Sequence, residues 1–249
     1  MNVHWIISGA SPKGFKWHGG PTVNRDCGLL VEAIIGEPNF THIWWMEKAI
    51  QASRHVARVK LPNGSATGFL IAPDILMTNN HVFQNARDAA NAVIQFNYRL
   101  LPDGNAAPVD EWLCDPDSLF KTSVELDFSI TRLKTKEGNK AGDVWGYFDV
   151  RHGQTAHENQ RVNIIQHPAG RYLEIAFRDN QVKAIKEDTI QYLTDTDYGS
   201  SGSPVCDDFF NLIALHNQRV RDPNDPYRWY RNQGFRIDAI LPEIETWIP

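Results

Sequence analysis

The stretch Asp197-Tyr198-Gly199-Ser200-Ser201-Gly202-Ser203-Pro204 restricts the chain more than any other. Its two glycines permit backbone conformations and close approaches that a Cβ would block. Pro204 lacks an N–H and stops the segment from closing into a helix. Val205 and Cys206 then begin an apolar run suited to a strand. The stretch predicts a tight turn ahead of a strand, with Ser201 between the glycines. A hydroxyl nucleophile needs such a setting, exposed and flanked by backbone N–H groups, but Gly/Ser clusters also mark ordinary turns.

From Val56 the chain reads as short strands broken by turns. Val56–Val59 and Ala66–Ala72 flank a turn at Pro62-Asn63-Gly64, and Ile75–Val82 follows Pro73-Asp74. Further strands are expected over 92–100, 124–133, 162–167, 172–178, 181–186, 189–193, 211–216 and 234–237. The stretches 102–118, 134–148 and 218–233 read as loops, the last of them rich in arginine. Ahead of the strands lie an irregular arm over 1–25 and a helix with Leu29, Leu30, Ala33 and Ile34 on its apolar side. A second helical pattern covers 43–55 with Trp44, Trp45, Ala49 and Ala52 inward, and a closing helix is expected over 238–247.

Composition limits the function classes. The 249 residues are 42% hydrophobic and 22% charged, a globular balance. Net charge is −5 with no basic block, which argues against a nucleic-acid partner. The three cysteines, Cys27, Cys114 and Cys206, are odd in number and widely spaced, so neither a disulfide framework nor a zinc knuckle is expected. His152, His157 and Glu158 read as a polar loop rather than a metal cluster, and no cofactor is expected. The first residues lack a basic region and a long apolar core, and no run reaches membrane-spanning length. A soluble, cytoplasmic protein without membrane contact is the expectation.

Three segments together resemble the chymotrypsin-fold serine proteases. Gly199-Ser200-Ser201-Gly202-Ser203-Pro204 is similar to the G-x-S-G-S-P nucleophile loop of the bacterial glutamyl-endopeptidase branch. Thr78-Asn79-Asn80-His81-Val82 resembles the strand end that delivers the family's histidine. Asp127-Phe128-Ser129-Ile130 resembles the strand whose aspartate orients it, and His167-Pro168-Ala169-Gly170 resembles a turn opening the second barrel. The order His81, Asp127, Ser201 is that of chymotrypsin, not of subtilisins or α/β-hydrolases. The resemblance implies an all-β fold of two six-stranded antiparallel Greek-key barrels with short N-terminal helices and a C-terminal helix. It implies an arm and helical lead-in over 1–45, a first barrel over 46–148 carrying His81 and Asp127, and a second over 149–249 carrying Ser201.

The same resemblance implies peptide hydrolysis through an acyl-enzyme, with Ser201 as nucleophile, His81 as general base and Asp127 as its orienting acid. The N–H groups of Gly199 and Ser201 would form the oxyanion hole. Specificity signals conflict. His216 and Thr196 stand at the spacings that glutamyl endopeptidases use to read an acidic side chain, whereas Asp195 stands where trypsins carry the acid that selects Lys and Arg. Cleavage after acidic residues and trypsin-like cleavage both stay open, as do a binding protein of protease fold without turnover and an esterase. Ser200 replaces the aspartate that animal trypsins pair with a newly cut N-terminus, so activation by that salt bridge is not expected. Either an always-formed site or control by the N-terminal segment or a regulatory protein partner is expected instead, with protein or peptide as substrate.

Overall fold

The computed structural model describes residues 41–151, 155–178, 180–222 and 224–248, without the side chains of 226–229. The expected arm, the helix around 29–34, and the residues Cys27 and His152 lie outside the described residues. Residues Trp44–Pro249 form one compact unit.

Helix α1, Trp44–Ser53, leads into the first sheet and buries Ala52. Its tryptophans pack differently from each other: Trp45 meets Phe210 and Phe177, while Trp44, partly exposed, stacks on Phe209 at 5.5 Å. The first sheet contains β1 Val56–Leu61, β2 Gly64–Ala72, β3 Ile75–Thr78, β4 Val93–Phe96, β5 Asp110–Leu113, β6 Phe120–Ser123 and β7 Phe128–Arg132. Its order is β5-β4-β1-β2-β3-β7-β6, antiparallel throughout. Short helices α2, Ala86–Ala90, and α3, Ala141–Trp145, sit in its connections.

The second sheet contains β8 Asn163–Gln166, β9 Glu174–Ala176, β10 Val182–Ile185, β11 Thr189–Tyr192, β12 Pro204–Cys206, β13 Leu212–Asp222 and β14 Asp225–Arg236. Its order is β10-β11-β14-β13-β12-β8-β9, again antiparallel, and α4, Ile237–Ile244, closes the chain. The expected pair of antiparallel β units is present, with seven strands in each sheet rather than six. Both sheets curl back on themselves. A bridge between Cys114 and Leu133 ties the end of β5 to the end of β7, and one between Arg161 and Gln181 ties the approach to β8 to that of β10. Such curling shortens the edges left open to pairing with other chains.

Each sheet wraps its own core. Val59, Leu70, Leu76, Ile94 and Phe96 fill the first, and Val162, Ile164, Ile190, Val205 and Ile213 the second. A third cluster joins Phe69, Ile71, Leu212 and Leu215 to Ile240 and Ile244 of α4. Full burial of one such aliphatic side chain stabilises by about 1.5–3 kcal/mol before chain entropy is counted.

Two stretches expected as loops are strands. Within 102–118, β5 buries Trp112, whose indole N–H donates to Asp110 at 2.8 Å, while Glu111 and Leu113 face out. Pairing with β4 overrides the weak strand propensity of a Pro- and Asp-rich stretch. The arginine-rich 218–233 forms the distal part of the β13–β14 hairpin, paired from Gln218↔Gln233 to Asp222↔Asp225 with register shifts on either side of Arg221. A hairpin ladder satisfies backbone groups whatever the side chains, so a polar composition does not prevent it. The expected strand over 124–133 is shorter: 124–127 is a turn and β7 starts at Phe128.

Candidate active site

The site grows from the end of β3. Thr78 is buried, and Asn79 turns the chain by accepting the N–H groups of Val82 and Phe83 on its carbonyl. The Asn79 side chain donates to the Asp127 carbonyl at 2.9 Å. His81 follows, its Nδ1 2.8 Å from Asp127 Oδ2 and its backbone N–H donating to Oδ1 at 3.0 Å. Asn217, just past the buried part of β13, donates from Nδ2 to Oδ2 at 2.7 Å. Asp127 therefore accepts three N–H groups on two oxygens, which compensates the burial of its carboxylate. Its φ of +41° is a left-handed conformation that non-glycine residues rarely adopt, held here by these bonds. The His81 side chain stays 45% exposed, against 13% for Asp127, so the ring is half open to solvent while its acid is sheltered.

Asn217 also ties this pair to the serine loop. It follows His216, whose backbone accepts from the Gly202 N–H at 3.1 Å and donates to the Ser203 carbonyl at 2.9 Å. Gly199 and Gly202 both have positive φ, +86° and +83°. At Gly202 a Cβ would overlap the Thr67 carbonyl and the Thr78 hydroxyl, so a close approach as well as a left-handed turn requires glycine. Gly202→Ala is expected to destabilise the fold by about 2–5 kcal/mol, combining left-handed strain with overpacking. Thermal unfolding checks this, and an unchanged Tm would refute it.

The direction of the loop's peptides follows from their bonds. The N–H groups of Ser200, Gly202 and Ser203 have partners, Asp197, His216 and Ser200 carbonyls respectively. Those of Gly199 and Ser201 have none among the described residues. In a trans peptide the C=O and following N–H point oppositely. The Tyr198 carbonyl is held by the Ala169 N–H, so the Gly199 N–H faces away from the 167–170 turn. The Ser200 carbonyl accepts from Ser203 N and Oγ, which turns the Ser201 N–H outward as well. Two unpartnered N–H groups flanking one hydroxyl can stabilise an anionic oxygen. Among the described residues no hydrogen bond engages Ser201 Oγ, and its carbonyl accepts from Thr67 N at 2.9 Å.

The specificity candidates differ in their settings. His216 is 3% exposed, and its Nδ1 lies 2.7 Å from the Tyr192 hydroxyl. Burial, followed by the nearby His81 charge, pushes its pKa down to about 3 against a smaller opposing effect of the Gln233 backbone. Thr196 donates to Asn232 Oδ1 at 2.8 Å, and Asn232 donates to the Thr194 carbonyl at 2.7 Å. The Asp195 side chain is exposed, and its carbonyl accepts from Gln166. His157 is exposed, and no group of metal-ligating side chains occurs among the described residues. Cys114 and Cys206 are buried free thiols, the first pushed up to about 12 by burial.

Sequence reasoning missed Asn217, Tyr192, Asn232 and the junction residue Thr67. Each acts through a partner distant in sequence, so its role is not written in its own segment.

A profile of the trypsin-like peptidase domain matches residues 66–215, well over half of the chain. The chain belongs to this family. The peptidase domain is similar, at 28% identity over 87% of this chain and 39% of the relative, to an uncharacterized protein of Sinorhizobium fredii. It is 25% identical to a glutamyl endopeptidase of Staphylococcus aureus over 64% of this chain and 44% of that protein. The chain spans less than half the length of these relatives. Among solved structures, a Glu endopeptidase in complex with MPD superposes with a TM-score of 0.59 at 19% identity, covering 78% of this chain and 90% of that one. An inactive form of a Mycobacterium tuberculosis protease superposes with a TM-score of 0.55 at 14% identity, covering 80% and 91%. Both show the peptidase domain to have the chymotrypsin-like fold.

Proposed function

We propose that the domain is a serine endopeptidase using His81, Asp127 and Ser201. The observation that carries this reading is one set of bonds around β13: Asn217 reaches the Asp127 carboxylate that holds His81, while its neighbour His216 is bonded to the two residues after Ser201. In the proposed reaction Ser201 Oγ attacks the scissile carbonyl carbon and its proton passes to His81 Nε2. Asp127 holds the Nδ1–H tautomer and stabilises the imidazolium. The oxyanion is received by the N–H groups of Gly199 and Ser201, a contribution of about 3–4 kcal/mol per donor in such sites. His81 then returns the proton to the leaving amine, and water repeats the sequence on the acyl-enzyme. The substrate is a protein or peptide chain, and no cofactor takes part. Labelling by a fluorophosphonate probe tests the nucleophile, and turnover of a peptide library separates a protease from a binding protein or an esterase.

We further propose a preference for acidic residues before the cut, read by a neutral imidazole. The buried Tyr192 phenol has no other acceptor among the described residues, so its proton goes to His216 Nδ1 and Nε2 carries the ring proton. A group with a pKa near 3 stays uncharged across working pH. The exposed side chain of Asp195 gives trypsin-like selection less support. The expected result is a Glu-over-Gln ratio in kcat/KM that is flat from about pH 5 to 8, the range where an ordinary histidine titrates. His216→Val is expected to lower cleavage after Glu by about tenfold or more, with little change elsewhere. A ratio that falls as pH rises through 6–7 would instead point to a charged imidazolium, and dominant cleavage after Arg would overturn acidic selection.

A further inference from the structure

One residue of the first sheet bonds the serine loop at two points, the carbonyls of Gly199 and Ser201. Thr67 on β2 is fully buried. Its N–H donates to the Ser201 carbonyl at 2.9 Å, and its carbonyl accepts from Thr78 Oγ1 at 2.8 Å, three residues before His81. Its hydroxyl does two things at once: it accepts the His167 N–H at 3.0 Å and donates to the Gly199 carbonyl at 2.8 Å. Those partners lie 100 and 132 residues away in sequence.

The geometry points to Thr67 as the positioning residue for the oxyanion-binding N–H groups, an inference that rests on the catalytic reading of Ser201 proposed above. The hydroxyl pins the Gly199 carbonyl, which fixes the 199–200 peptide. The same hydroxyl pins His167 at the start of the turn whose Ala169 N–H holds the Tyr198 carbonyl. Peptides 198–199 and 199–200 are thus anchored from one atom, on both sides of the Gly199 N–H. Gly199 has no side chain to resist rotation, and its φ of +86° leaves many alternatives open to an unanchored glycine. Ala169 sits at φ +51°, so the turn that supplies the second anchor is itself strained and relies on its bonds. Without the Thr67 hydroxyl, the buried His167 N–H loses its acceptor and the Gly199 carbonyl its donor. The peptide can then rotate its N–H away from the developing oxyanion.

Such an effect appears in the transition state, not in substrate binding. Thr67→Val keeps the shape of the side chain and removes both hydroxyl bonds; Thr67→Ser keeps the hydroxyl. In the full chain, assayed with the best peptide from cleavage profiling, Thr67→Val is expected to lower kcat by roughly 10–100-fold with KM within about threefold. Thr67→Ser is expected to recover kcat to within about threefold of the parent. Thr67→Ala, which removes any crowding by the second valine methyl, is expected to match valine in kcat, so the test survives if valine does not fold. A merely structural role would lower Tm or raise KM, and serine would not restore the rate selectively. If folded Val and Ala variants both keep kcat, the assignment to Thr67 is overturned. Ser201→Ala run in parallel keeps the two readings apart: turnover that persists in that variant refutes the catalytic reading itself, whereas its loss beside an active Thr67→Val refutes only the role of Thr67.

Discussion

Replacing Ser201 by Ala is expected to lower peptide hydrolysis by roughly 10⁵–10⁶-fold, the cost of removing a nucleophile from a unit that works together. The fold should not notice. Among the described residues the Ser201 hydroxyl makes no hydrogen bond, and the bonds that fix residue 201 run through its carbonyl. The two outward N–H groups depend on the carbonyls of Tyr198 and Ser200, which the substitution does not touch. Tm should therefore stay within about 2 °C, as for a substitution that breaks no buried contact. The measurement is kcat/KM on the best profiled peptide, with circular dichroism melting and fluorophosphonate labelling on the same preparation. Full turnover by a folded Ser201→Ala protein would remove Ser201 from the role of nucleophile and show that another group carries the hydrolysis.

Asp127→Asn is expected to cost about 10⁴ in kcat while leaving substrate affinity nearly unchanged. The reason lies in donors and acceptors. Asp127 Oδ1 accepts the His81 backbone N–H, and Oδ2 accepts both His81 Nδ1 and Asn217 Nδ2. An amide has only one oxygen. If the oxygen faces the His81 backbone, the NH2 group meets the Asn217 NH2 and forces Nδ1 to become an acceptor. The proton then sits on Nε2, where it cannot take another from Ser201. If the amide flips, the backbone N–H of His81 faces a donor and the turn after β3 loosens. Either way the base is lost or misplaced. The checks are kcat and KM together with the Tm. Equal activity of the asparagine variant would show that His81 is not oriented by this carboxylate.

Much of the fold was legible because short strands with apolar alternation, cut by Pro, Gly and Asn, survive in the local sequence. The β1–β2–β3 meander is an example, with its Pro62-Asn63-Gly64 turn and nearly continuous burial from Ala66 to Ala72. Strand β5 and the distal β13–β14 hairpin were not legible, because their pairing partners, not their own side chains, make them strands. Trp112 gave a hint, since a large aromatic in a polar stretch needs somewhere to be buried. The same division runs through the site. Ser201 stands in a stretch whose glycines are required by its backbone, so the turn was legible locally and the family resemblance then marked the serine. Asn217 and Thr67 are ordinary polar residues in their own segments and acquire a place only when a distant carboxylate or carbonyl arrives beside them.

The amino-acid order by itself determined the β-rich class, the turn that presents Ser201, and the succession of His81, Asp127 and Ser201 along the chain. The class and the turn are matters of neighbours, namely φ freedom at glycine, the missing donor of proline and the period of apolar residues, whereas His81 and Asp127 stood out only through their resemblance to a family's motifs. Only the folded chain decided which way the 198–201 peptides face, that Asp127 accepts three donors, and that His216 is buried beside Tyr192 while the Asp195 side chain is exposed. Those outcomes depend on hydrogen-bond partners drawn from segments up to 132 residues apart, and a buried donor or acceptor records its partner in space rather than in sequence.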